Sequence, residues 1–186
     1  ELMKKLMFFR PLYSLGGTEI AMLNLVKKLE GYEIYIGYSD ETSDKHLLDR
    51  FAEYARIINL NEVQDFEVDA FITCSAHYNL VEAVKNVIAK KTILWIHHLV
   101  NVETTVLADS KETDKLDYIV TVSNTTANIL KAIFPKIADK IKAIYNVIDE
   151  QEIKDASNVP VKLDLSKELN LVTVSRVCKE KGFERI

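Results

Sequence analysis

Cysteine, proline and glycine are all scarce in this chain of 186 residues, at two, three and five. Two cysteines as distant as Cys74 and Cys178 cannot build the disulfide framework of a small secreted domain, and they read as reduced thiols. Repeats and low-complexity tracts are absent. No apolar run reaches the ~18–20 residues that would span a bilayer. The start, Glu1-Leu2-Met3-Lys4-Lys5, lacks the apolar stretch and small-residue cleavage site of a secretory signal, so the expected compartment is the cytoplasm. Charge of one sign is missing too: 24 basic against 28 acidic residues leave −4, which argues against a general nucleic-acid binder. What the chain does have is apolar mass, 48% of its residues, enough for one full core with a short remainder.

Short apolar runs alternate with helical patterns along the chain. The runs at Lys5–Arg10, Glu33–Tyr38, Ala55–Leu60, Asp69–Cys74, Thr92–His97, Tyr118–Val122, Lys142–Tyr145 and Leu171–Ser175 are mostly apolar without alternation, as strands covered on both faces are. Met22, Leu25, Val26 and Leu29 form a helical stripe that Gly31 closes. Leu80, Val84, Val87 and Ile88 form a second. Thr126, Ile129, Leu130 and Ile133 form a third, which stops at Pro135. The order predicts an α/β protein with a doubly wound, Rossmann-like parallel sheet, whose ligands gather at the carboxyl ends of the strands. Residues 150–170 are polar with no strong helical stripe and read as a linker. The expected division is therefore a domain over 1–165 and the truncated start of another over 166–186, as in an amino-terminal piece of a longer protein.

Four places carry chemistry. Gly16-Gly17 follows the first strand and opens the first helix, where free N–H groups and the helix dipole favour phosphate and a missing Cβ allows close approach. The alternative reading is a turn that needs positive φ. The motif is neither a P-loop nor a dinucleotide fingerprint. His97 and His98 end one strand, and His77 follows Cys74 at the end of another. As a zinc site, Cys74, His77, His97 and His98 lack the paired spacing of a structural centre, so no metal is expected. Ser123-Asn124-Thr125-Thr126 reads as a helix cap. Arg176, just past the last apolar run, and Lys181, in the loop beyond it, are two cations suited to a diphosphate.

In combination these segments resemble the family 4 glycosyltransferases, retaining enzymes of the two-domain GT-B fold. The resemblance rests on GGTEIAMLNLVKKLE at 16–30, WIHH at 95–98, YIVTVSNTTANI at 118–129, IYNVID at 144–149 and LVTVSRVCKEKGF at 171–183, with Ser175 standing where the family usually has glycine. It implies an amino-terminal, acceptor-side domain followed by the start of the nucleotide-sugar-binding domain. The implied activity is transfer of a hexose from a nucleotide-sugar donor to a glycan or lipid-linked acceptor, without a metal or other cofactor, the fragment alone being inactive. Gly16 and Gly17 would bring N–H groups to the donor's phosphates and the reacting centre, His97 would contact the donor sugar, and Arg176 and Lys181 would hold the diphosphate. Glu19, His77 and His98 would line the cleft or acceptor side. Two other readings stand beside this one: a non-catalytic module for a phosphate-bearing ligand, and a nucleotide-sugar epimerase of the same fold. Lys131, Lys136, Lys140 and Lys142, around Ile133, Phe134 and Ile137, suggest weak peripheral contact with the inner face of a membrane.

Overall fold

The computed structural model describes residues 3–74, 85–97, 105–160, 162, 171–175 and 177–185. The chain divides into two compact units, Glu1–Ile148 and Asp149–Ile186. The division falls at 148/149, whereas composition alone suggested 165.

The first unit is a seven-stranded, all-parallel sheet in the order β3-β2-β1-β4-β5-β6-β7. Its strands are β1 (Lys4–Phe9), β2 (Tyr32–Tyr38), β3 (Arg56–Asn59), β4 (Phe66–Thr73), β5 (Val87–Ile96), β6 (Tyr118–Thr121) and β7 (Ile141–Ala143). This is the doubly wound, Rossmann-like arrangement expected from the sequence. The chain runs outward from β1 to β3, then crosses back to lay β4 on the other side of β1. The strand order thus reverses between β1 and β4, and ligands of doubly wound sheets gather at the carboxyl ends of such neighbours.

Right-handed crossovers place the helices of the first half on one face. There α1 (Gly17–Val26) and α2 (Lys45–Ala52) pack Met22, Leu23, Val26, Leu47 and Phe51 against Phe8, Ile34, Ile36, Ile72 and Trp95. On the other face Leu94, Ile96, Ile119 and Ile141 meet Ala127 and Leu130, with Leu107 and Leu116 beside them. Met7, Phe9, Tyr35, Leu60, Val68, Phe71 and Val87 form the remaining cluster. The short helix α3 (Ser110–Thr113) precedes β6, and α4 (Asn124–Ile133) follows it. Ser123 caps α4 by accepting from the Thr126 N–H at 3.1 Å, as its sequence suggested.

The first face is left incompletely covered beyond α1. An apolar groove of about 250 Å³ lies there, between Leu25 and Leu29 on one side and Ile144, Tyr145 and Val147 on the other, floored by Phe8, Ala70, Ile72 and Trp95.

Several expectations are corrected. Val87 and Ile88 begin β5 and pair with Phe66 and Glu67, so the stripe ending on them is not helical there. Its other members, Leu80 and Val84, lie outside the described residues. β5 starts earlier than its apolar run because Lys90 and Lys91 are carried within the strand by Asp69 and Asp117, at 2.6 and 2.7 Å. α1 ends at Val26, before Leu29, and the chain then turns through Gly31 at φ +78°, a left-handed conformation that favours glycine.

The second unit contains α5 (Glu150–Ser157), capped by Asp149 accepting from the Glu152 N–H at 3.2 Å, where the sequence was read as a polar linker. The strand expected over Leu171–Ser175 does not form among the described residues. Leu171, Val172 and Val174 are 76, 75 and 91% exposed, and an apolar run becomes a strand only beside a partner edge. No helix of the described residues is long and apolar enough to cross a membrane.

Candidate functional site

Arg10, Cys74 and His97 are the first residues beyond β1, β4 and β5. Phe9 lies level with Thr73, and Thr73 level with Leu94, so Arg10 and Cys74 leave the sheet side by side and His97 a little further along. A backbone bond from Cys74 N–H to the Phe9 carbonyl at 3.2 Å holds the first two strand ends together. The β1–α1 connection starts from the same edge, so Gly16, Gly17, Glu19 and His97 share the carboxyl edge of the sheet.

Tyr13 shapes that connection. It is fully buried, its hydroxyl donates to the Phe8 carbonyl at 3.3 Å, and its backbone N–H donates to Ser43 Oγ at 3.1 Å. Its ring meets Phe51 edge-on at 5.7 Å. The loop is thereby pinned to the core and delivers the chain to Gly16, the N-cap of α1.

Gly16 has φ −162° and ψ 174°, extended backbone open to any residue, so the positive-φ explanation for the glycine pair is wrong. The two glycines have different reasons. A Cβ on Gly16 would lie 3.0 Å from Glu19 Oε2, whereas a Cβ on Gly17 would meet none of the described residues within 4 Å. Gly16 makes room for a side chain of the protein; Gly17 faces space open among the described residues. No side chain of the described residues caps this helix, and its first internal bond runs from Ile20 N–H to the Gly16 carbonyl at 3.1 Å. The N–H groups of Gly17, Thr18 and Glu19 thus form an uncapped first turn that suits an anion.

Glu19 is only 3% exposed, and its Oε1 lies 2.7 Å from Arg10 Nη1. Burial pushes the Cys74 thiol up to about 12 and the Tyr13 hydroxyl well above its ordinary value, the field of Glu19 adding to both and that of Arg10 opposing. Both groups are neutral at pH 7, beside the Arg10–Glu19 ion pair. The His97 ring lies against Trp95, centroids 4.4 Å apart.

The other expected site residues are described apart from these or not at all. His77, His98 and Arg176 lie outside the described residues. Lys181 closes a 3₁₀ turn, Lys179–Lys181, in the second unit, and Gly182 follows at φ +68°. Among the described residues no group of three His, Cys, Asp or Glu side chains could hold a metal ion. In the lysine cluster, Lys140 Nζ donates to the Thr113 carbonyl at 3.0 Å, while Lys131, Lys136 and Lys142 stay exposed with Ile129 and Ile133. Sequence reasoning missed Arg10; its signal is a cation placed directly after the apolar run of β1 and before a glycine turn. No protein-family model matches the chain, and comparison with curated proteins gives no significant match.

Proposed function

We propose that this chain is the amino-terminal, acceptor-side part of a retaining glycosyltransferase that moves a hexose from a nucleotide-sugar to a glycan or lipid-linked acceptor. The observation that carries the reading is the uncapped first turn of α1 beneath Gly17, set at the β1/β4 switch point where ligands of doubly wound sheets bind. Glycosyl transfer leaves charge on a departing nucleoside diphosphate, and preorganised N–H groups there stabilise it as it develops. His97, on the same edge, contacts the donor sugar. In this reading Arg176 and Lys181 supply fixed cations to the diphosphate, a part that rests on the sequence resemblance alone. They take the place of a metal, and transfer proceeds on the front face with the leaving phosphate helping to deprotonate the acceptor. Glu19 is engaged with Arg10 and is not a free nucleophile, which fits a route without a glycosyl-enzyme intermediate. The lysines beside Ile133 give weak, salt-sensitive contact with an anionic membrane surface.

The test offers the intact protein UDP- and GDP-sugars with candidate acceptors and follows donor consumption. Transfer is expected, and Gly17→Val is expected to reduce it by roughly 10²–10³-fold, in line with loss of preorganised donors. Its melting temperature should change little, because no described residue lies within 4 Å of the added Cβ. Epimerisation or hydrolysis without transfer would identify a nucleotide-sugar epimerase. Binding without consumption would identify a non-catalytic module, and either result overturns the reading.

A further inference from the structure

A buried carboxylate in the first turn of a helix is at odds with an anion site. Glu19 sits there, with Oε2 pressed toward Gly16. Bare, it would repel an incoming phosphate through surroundings that screen poorly. It is not bare, since Arg10 Nη1 meets its other oxygen at 2.7 Å. The two partners are unequally placed: the Glu19 side chain is 4% exposed and that of Arg10 24%. Solvent, and anything arriving from it, meets the cation of the pair. Nor is the guanidinium saturated among the described residues, because the Glu19 contact engages one terminal nitrogen of a group with five N–H donors.

We propose that Arg10 is the specificity-determining residue of the α1 turn, cancelling the charge of Glu19 and donating to the bound anion from the solvent-facing edge of its guanidinium. The inference rests on the reading of this turn as a diphosphate site and adds to it a residue which that reading leaves without a role. It assigns the two charges opposite effects: Arg10 draws the anion in, and Glu19 limits how tightly it is held. A site that releases its product needs such a limit.

The experiment is a ³¹P NMR titration of inorganic pyrophosphate into the chain and its variants, each checked by a melting curve. Glu19→Gln, which keeps an oxygen for Arg10 and removes the negative charge, should bind about tenfold tighter than wild type. Arg10→Gln should lose binding, but it strands a buried carboxylate and so endangers the fold. The double variant Arg10→Gln/Glu19→Gln buries no lone charge and keeps the net charge of wild type. It should bind at least about tenfold more weakly than wild type if the guanidinium donates to the anion. Wild-type affinity in the double variant, or unchanged affinity in Glu19→Gln, would overturn the role given to Arg10. If pyrophosphate binds wild type, is excluded by Gly17→Val and is unaffected by the double change, the turn is the site and Arg10 is not its partner. If wild type binds no pyrophosphate, the diphosphate reading fails and this inference with it.

Discussion

A thiol at the end of β4 keeps its proton because of what surrounds it. Cys74 packs against the apolar cluster under α1, and burial raises its pKa to about 12; Tyr13, beside it, is raised from 10 by the same cause. Both groups bind their protons more tightly folded than unfolded, so at high pH the unfolded chain releases protons first and gains stability relative to the native state. The stabilisation from neutral Cys74 is complete below about pH 9, the ordinary thiol value, and is lost as pH rises toward 12. Denaturant unfolding at a series of pH values should show stability falling above pH 9, with a shallower fall for Cys74→Ala; superimposable pH profiles would refute this assignment. The glycine pair was legible in the sequence because two adjacent glycines are rare in a glycine-poor chain. The reason for each was not legible. Gly16 answers to Glu19 and Gly17 to open space, and that difference depends on where one carboxylate folds back. Arg10 escaped for a related reason, as nothing in a linear reading shows that it pairs with a buried acid in the next helix.

At the level of elements, α2 shows how much rests on a single cap. It has eight residues, too few to be stable alone. Asp44 accepts from the Leu47 N–H at 3.2 Å, and Leu47 and Phe51 are its buried residues. Asp44→Ala should cost about 1 kcal/mol of stability, the usual loss for an N-cap, measurable as a shift in denaturant midpoint with an unchanged slope. No change in midpoint would mean that tertiary packing alone holds this helix. Seven of the eight expected strands form, because parallel strands buried on both faces leave near-continuous apolar runs. The eighth, at Leu171–Ser175, has the same composition but no described partner, and composition cannot report a missing edge. The stripe of α4 located the helix and only partly its buried side. Leu130 is buried with Ala127, while Ile129 and Ile133 are 43 and 51% exposed. α2 went unread since its apolar residues span little more than one turn, too short a window for periodicity to stand out.

On the scale of the whole molecule, every strand and all three apolar clusters of the described residues fall within residues 1–148. A chain ending at Ile148 should therefore fold alone, with the far-UV circular dichroism of a parallel α/β protein and one cooperative transition. A non-cooperative melt with dye-binding apolar surface would show that the second unit is needed. The sheet order could be anticipated in class but not in detail, since the crossover that places β4 beside β1 leaves no mark in local sequence. The apolar groove beside α1 carries an optical consequence. Its floor includes Trp95, the single tryptophan of the chain, 6% exposed and set two residues before His97. Indole emission from this protein is thus emission from one place, the first sheet face near the carboxyl end of β5. A red shift on denaturation reports the unfolding of residues 1–148 and is silent about residues 149–186. Measured against circular dichroism, which counts helix in both units, that silence separates the two without a label.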